Sequence, residues 1–159
     1  MPNINKFKLG VSILLPLLAG AVGSFFTMPA VNSWYKEIAK PPFNPPNWIF
    51  GPVWTLLYIL MGIALYLVWQ SGVGAKKKKI AVSVFTAQLA LNILWSVIFF
   101  GLKNFNFSFV ELVALWGLIL INLVLFSKIK KIAGWLLLPY LFWASFAAVL
   151  NFFIWQLNY

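Results

Sequence analysis

Four of the nine tryptophans, Trp54, Trp95, Trp116 and Trp143, fall well inside long apolar stretches of the chain. An indole N–H placed there has no water to bond and needs a protein acceptor or a ligand. Helical spacing gathers these rings with other useful groups. Trp54, Tyr58, Met61 and Leu65 form an i, i+4, i+7, i+11 stripe; Gln88, Asn92, Trp95 and Ser96 share a second face; Pro139, Trp143, Ala147 and Asn151 repeat every four residues. Polar side chains at such depth turn toward the interior of a helix bundle. Three such faces brought together would wall a cavity suited to a large, flat, mostly apolar ligand. The same residues would serve equally well as glue between helices.

Absent residue types exclude most other chemistry. With no His and no Cys, the chain has no disulfide, no thiolate nucleophile, no common zinc site and no His- or Cys-ligated haem. Only Glu37 and Glu111 are acidic, so paired-carboxylate chemistry is hard to build. Glu111 lies within an apolar stretch about one turn from its start, where pairing with Lys103 or snorkelling is expected rather than a proton relay. Neither an acid–base nor a nucleophile–base pair is present, which favours binding over catalysis. No metal and no resident cofactor are expected.

The elements that must position these residues are membrane helices. Hydrophobic residues make up 63% of the 159-residue chain and charged ones 9%, against about 25% charged in soluble domains. Five runs reach the length needed to span about 30 Å of hydrocarbon: Leu9–Met28, Ile49–Trp69, Ile80–Leu102, Ser108–Ser127 and Ile132–Leu157. The expected fold is an all-α integral membrane protein, a five-transmembrane-helix bundle forming a single membrane domain over residues 1–159. The first run resembles a signal peptide in its leading Lys6 and Lys8, but it exceeds the usual apolar core of about 7–15 residues. Between the first two runs, Pro29, Pro41, Pro42, Pro45 and Pro46 predict a loop from Pro29 to Trp48, with a short turn around Trp34–Ala39. The other connections are short, which predicts that successive helices are antiparallel neighbours. Trp34, Trp48, Trp69, Trp135 and Trp155 fall near helix ends and fit an aromatic belt. Ala19, Gly20, Gly23 and Ser24 allow close backbone approach, within the chain or in a dimer, and Gly62 marks another close contact.

The net charge of +10 comes entirely from Lys, with no Arg to read bases, so nucleic-acid binding is not expected. Nine lysines (Lys6, Lys8, Lys76 to Lys79, Lys128, Lys130 and Lys131) fall on one side of the bundle, with the Lys76–Lys79 run read as a loop. Lys36, Lys40 and Lys103 fall on the other. The positive-inside rule then predicts a cytoplasmic N-terminus and an external C-terminus.

The ordered motifs resemble the translocator protein / tryptophan-rich sensory protein family (TspO/MBR, the peripheral-type benzodiazepine receptor). The first block is Trp34-Tyr35, Lys40-Pro41-Pro42, Pro45-Pro46-Asn47-Trp48, Gly51-Pro52-Val53-Trp54, Leu57-Tyr58, Met61-Gly62 and Tyr66-Leu67-Val68-Trp69. The second is Gln88 to Asn92 with Trp95 and Phe99-Phe100-Gly101. The third is Pro139-Tyr140-Leu141, Trp143, Phe146-Ala147, Leu150-Asn151 and Trp155. The resemblance implies a five-helix bundle, often a homodimer, whose cavity opens under the first loop. It implies porphyrin ligands such as protoporphyrin IX and haem, with synthetic isoquinoline carboxamides and benzodiazepines. A multi-pass protein of a bacterial or archaeal cell membrane is expected. Light-dependent porphyrin breakdown, attributed to some bacterial relatives, would involve Trp54 and Trp143; Asn92 would contact ligand and Ala147 would line the pocket. Tyr58, Trp95, Asn151 and Trp48 complete the expected binding set. The sterol-recognition pattern of animal relatives is broken here by Phe152 and Gln156, so cholesterol is not an expected partner. Haem would be held by stacking and by lysines at the rim rather than by iron ligation. The expected function is a membrane receptor or carrier for tetrapyrroles, with photo-oxidative breakdown or ligand sensing as the alternatives.

Overall fold

The chain folds as the expected helical membrane bundle. The computed structural model describes residues 4–159; Met1 to Asn3 of the expected domain lie outside the described residues. Helix α1 spans Lys6–Val31, α2 Asn47–Trp69, α3 Ala75–Ser96 and α4 Phe105–Ile129. A π-helical turn, Val97–Gly101, extends α3, and the fifth crossing consists of two helices, α5 (Lys131–Trp135) and α6 (Leu138–Leu157). Five stretches are long and apolar enough to cross a bilayer, and the described residues contain no strand.

Several local expectations are corrected, each for a physical reason. Pro29 does not start the loop, because α1 runs on to Val31 with Pro16 and Pro29 inside it. Its last carbonyls are met by side chains: Asn32 Nδ2 donates to the Met28 carbonyl at 3.1 Å, and Ser33 Oγ to the Pro29 carbonyl at 2.8 Å. The Lys76–Lys79 run is the first turn of α3 rather than a loop. Lys78 Nζ reaches back to the carbonyls of Trp69 and Ser71, at 3.0 and 2.8 Å, and closes the C-terminal end of α2. The fifth helix is interrupted after Trp135 and restarts with Pro139 in its first turn, where a missing N–H costs nothing.

Successive helices are not all neighbours. Helices α2 and α3 barely touch, because α1 lies against both of them. Glycines make this approach close. A Cβ on Gly62 would lie 2.5 Å from the Ile13 Cα, and one on Gly20 would collide with the Tyr58 ring. Gly23 packs on Ser96, and Gly101 on Phe26. The small residues of α1 are thus used within the chain. Around the bundle the order is α2, α1, α3, α4, then the fifth crossing, with α5 returning to α2.

The expected turn after α1 is a 3-10 turn, Trp34–Lys36, that folds the first loop over the end of the bundle. Tyr35 is 3% exposed and packs with Phe99, Leu150 and Ile154. Its phenol donates to Asn44 Oδ1 at 3.0 Å, and burial pushes its pKa up to about 12. Lys40 Nζ donates to the carbonyls of Tyr35, Ile38 and Lys36. The Asn158 side chain closes the arrangement: it accepts from the Ala39 N–H at 3.0 Å and donates to the Ala39 carbonyl at 2.8 Å.

Glu111 neither snorkels nor pairs with Lys103. It is buried in α4, and both carboxyl oxygens lack a hydrogen-bond partner among the described residues. Lys103 adopts φ 54° in the tight connection before α4, which places its ammonium 5.3 Å from the Trp34 ring centre.

Candidate ligand cavity

A cavity of about 680 Å³ opens among α1, α2, α3 and α6 beneath the first loop, within the usual range for small-molecule sites. Helix α2 supplies Trp48, Trp54 and Tyr58, α3 supplies Asn92 and Trp95, and α6 supplies Trp143, Ala147 and Asn151. All eight residues singled out from the sequence therefore reach one wall system. Met61 and Leu65, from the same α2 stripe, are fully packed in the core outside the cavity, and Pro139 is exposed.

Hydrogen bonding divides the wall in two. On one side, Tyr58 donates to Asn92 Oδ1 at 2.7 Å, Asn92 Nδ2 to the Tyr140 hydroxyl at 3.1 Å, and Tyr140 to Gln88 Oε1 at 2.9 Å. This chain ties α2, α3 and α6 together across the cavity floor, and the sequence reading did not include Tyr140 in it. Above it, Asn151 Oδ1 accepts from Trp95 Nε1 at 3.1 Å and from Ser108 Oγ at 3.0 Å. Of the four inner indoles, Trp95 bonds Asn151 and Trp116 bonds Ser145 Oγ at 2.8 Å. These two are helix-joining groups.

Trp54 and Trp143 differ. Neither indole N–H has a hydrogen-bond partner among the described residues, and both rings line the cavity. Trp54 stacks on Tyr58, with centroids 5.5 Å apart, and meets Tyr140 edge-on at 6.1 Å. Trp143 meets Phe50 edge-on at 6.0 Å. The pairs Trp54–Tyr140 and Phe50–Trp143 bridge α2 and α6 through their rings. Helix α1 presents Gly20, Ala21, Gly23 and Ser24 to the middle of the same space, flanked by Leu17 on one side and Thr27, Met28 and Val31 on the other. The cavity accordingly sets aromatic rings opposite a stretch of small residues on α1.

The belt expectation holds for only part of the set. Trp48 and Trp135 are 73% and 70% exposed, and Trp69 lies under Lys8 at 5.6 Å. Trp34 instead joins an aromatic cluster with Phe99, Phe100 and Phe105.

Residues 12–156, which carry this whole arrangement, match the TspO/MBR family. The chain belongs to the TspO/MBR family. It is 47% identical over 155 residues to the tryptophan-rich protein TspO of Archaeoglobus fulgidus, covering 98% of this chain and 99% of that protein. It is 36% identical over 146 residues to the translocator protein of Bos taurus, covering 91% and 86%. It is 37% identical over 129 residues to the tryptophan-rich sensory protein of Cereibacter sphaeroides, covering 80% and 78%. As a TspO/MBR protein with five spanning helices, it is a multi-pass membrane protein. Membership in TspO/MBR supports a membrane receptor or sensor role.

Proposed function

We propose that the protein is a membrane receptor or carrier that binds tetrapyrroles, such as protoporphyrin IX or haem, in the cavity between α1 and helices α2 and α6. The observation that carries this reading is the contrast among the inner indoles. Trp95 and Trp116 spend their N–H groups on neighbouring helices, whereas Trp54 and Trp143 keep theirs unpartnered on the cavity wall. Aromatic rings opposite the small residues of α1 favour a large planar ligand, which gains stacking on one face and close contact on the other. Lys40 is committed to loop carbonyls and Asn32 Nδ2 to the Met28 carbonyl, which leaves Asn47 as the polar side chain at the loop-side edge of the cavity. A porphyrin's carboxylates would sit at that edge.

The same contrast favours one alternative. Trp54 and Trp143 are the two tryptophans that the family resemblance links to light-dependent porphyrin breakdown. Unpartnered indoles beside a photosensitising ring are placed to react with the oxygen species it generates. The nine-to-three lysine split supports a cytoplasmic N-terminus in a bacterial or archaeal cell membrane. A homodimer would have to use surfaces other than the small-residue stripe of α1, which α2 and α3 occupy. Tryptophan quenching by a panel of porphyrins, with the protein in detergent, tests the shared premise. Saturable quenching supports a ligand site, and no quenching at any concentration rejects it.

A further inference from the structure

We infer that the cavity is loaded sideways from the bilayer, through a gap between α1 and α2 in the leaflet next to the first loop. The ligand that passes it is a mostly apolar molecule dissolved in the membrane. This rests on the reading of the cavity as a ligand site and adds its route of access.

The gap follows from where α1 is held. Toward the bundle end that bears Lys76 to Lys79, α1 is clamped to α2 at Gly62 against Ser12 and Ile13, and at Gly20 against Tyr58. Beyond Gly20, the close contacts of α1 change partner. Gly23 meets Ser96 of α3, and Phe26 meets Gly101 of the π-helical turn. At this level the cavity lies between the two helices, lined by Ser24 and Thr27 of α1 and by Gly51 and Thr55 of α2. Both edges of the opening are open to the outside while lining the cavity: Ala21 and Met28 on α1, Gly51, Thr55 and Trp48 on α2. A Cβ on Gly51 would meet no atom within 4 Å.

The lips of the gap are chemically quiet. Ser24 Oγ donates to the Ala21 carbonyl at 2.6 Å, Thr27 Oγ1 to Gly23 at 3.1 Å, and Thr55 Oγ1 to Gly51 at 2.9 Å. Each hydroxyl is satisfied on its own helix, so an apolar ligand crossing from lipid strips no polar group of its partner. The water-facing end is shut by contrast. Tyr35 is buried there, Lys40 holds three loop carbonyls, and Asn158 fastens Ala39. Access from water requires this roof to unlatch; access from lipid requires no such step.

The chain has no cysteine, so Ala147→Cys places a single thiol on the cavity wall. In phospholipid vesicles, its labelling by N-octylmaleimide is compared with labelling by a sulfonated, water-confined maleimide. Each rate is normalised to that of a Tyr159→Cys variant, whose site is fully exposed. The alkyl reagent should react at least tenfold faster. Filling the gap with Gly51→Leu, where there is room, or with Thr55→Leu should slow it at least tenfold, whereas Asn158→Ala should change it less than twofold. Faster labelling by the sulfonated reagent, or acceleration by Asn158→Ala with no effect of the gap-filling variants, overturns the lateral route. The readout involves no porphyrin. Lateral labelling without porphyrin quenching therefore rejects the tetrapyrrole reading alone, and porphyrin quenching with labelling from water rejects the route alone.

Discussion

The indole N–H of Trp95 donates to Asn151 Oδ1 across 3.1 Å, joining α3 to α6 at the cavity wall. Ser108 Oγ of α4 donates to the same oxygen, and Asn151 Nδ2 donates to the Phe105 carbonyl at 2.9 Å. One amide thus ties three helices. Asn151→Leu would orphan the Trp95 N–H, at a cost of about 1–3 kcal/mol. The expected outcome is a lower thermal midpoint in detergent. A midpoint equal to that of the unmodified protein would show that the amide does not hold the bundle together.

Glu111 leads to the opposite expectation. Its carboxyl is buried in α4 with neither oxygen hydrogen-bonded among the described residues. A buried polar group without a hydrogen bond carries an uncompensated desolvation cost, which an apolar side chain of similar size removes. Glu111→Leu should leave the thermal midpoint unchanged or raised. A clear loss of stability would reveal a partner for this carboxyl.

Orientation can be read with single cysteines, since the chain has none of its own. Tyr159 is a better reporter of the C-terminal side than Asn158, whose side chain fastens the first loop. In intact cells an impermeant thiol reagent should label Tyr159→Cys and spare Ser71→Cys. The reverse pattern would invert the topology, and equal labelling would mean dual orientation.

Trp54 and Trp143 separate binding from photochemistry. Phe at both positions keeps an aromatic wall, so porphyrin affinity should fall by about 1 kcal/mol or less. Phe is far harder to oxidise than indole, so light-dependent loss of porphyrin absorbance should drop to the level of free porphyrin in detergent. Unchanged photobleaching in the double variant would show that the indoles take no chemical part.

Much of this arrangement was legible in the sequence because period and polarity carry it. The four-residue spacing of Trp143, Ala147 and Asn151 survives as one cavity-lining face, and so does that of Trp54 and Tyr58. What was not legible depends on contacts between distant segments. Nothing local marks Asn158 as the fastener of Ala39, 119 residues away, or Tyr140 as a link between Asn92 and Gln88. The separation of α2 from α3 follows from glycines whose partner helix spacing alone cannot name. Pro139 carried a signal for the break in the fifth crossing, since proline at the first turn marks a helix start, but its place in a four-residue repeat masked it.

The most direct test of the ligand site is a porphyrin titration of two neighbouring alanines on α6. Ala147 lines the cavity, whereas Ala148, rotated by about 100°, does not. A phenyl ring at Ala147 intrudes into the cavity or pushes α6 outward, and overpacking of this kind costs about 1–3 kcal/mol, roughly tenfold to more than a hundredfold in affinity. With protoporphyrin IX followed by tryptophan quenching in the dark, Ala147→Phe should weaken binding by at least tenfold, and Ala148→Phe should change it much less. Equal affinities for the two variants and the unmodified protein would place the porphyrin somewhere other than this cavity.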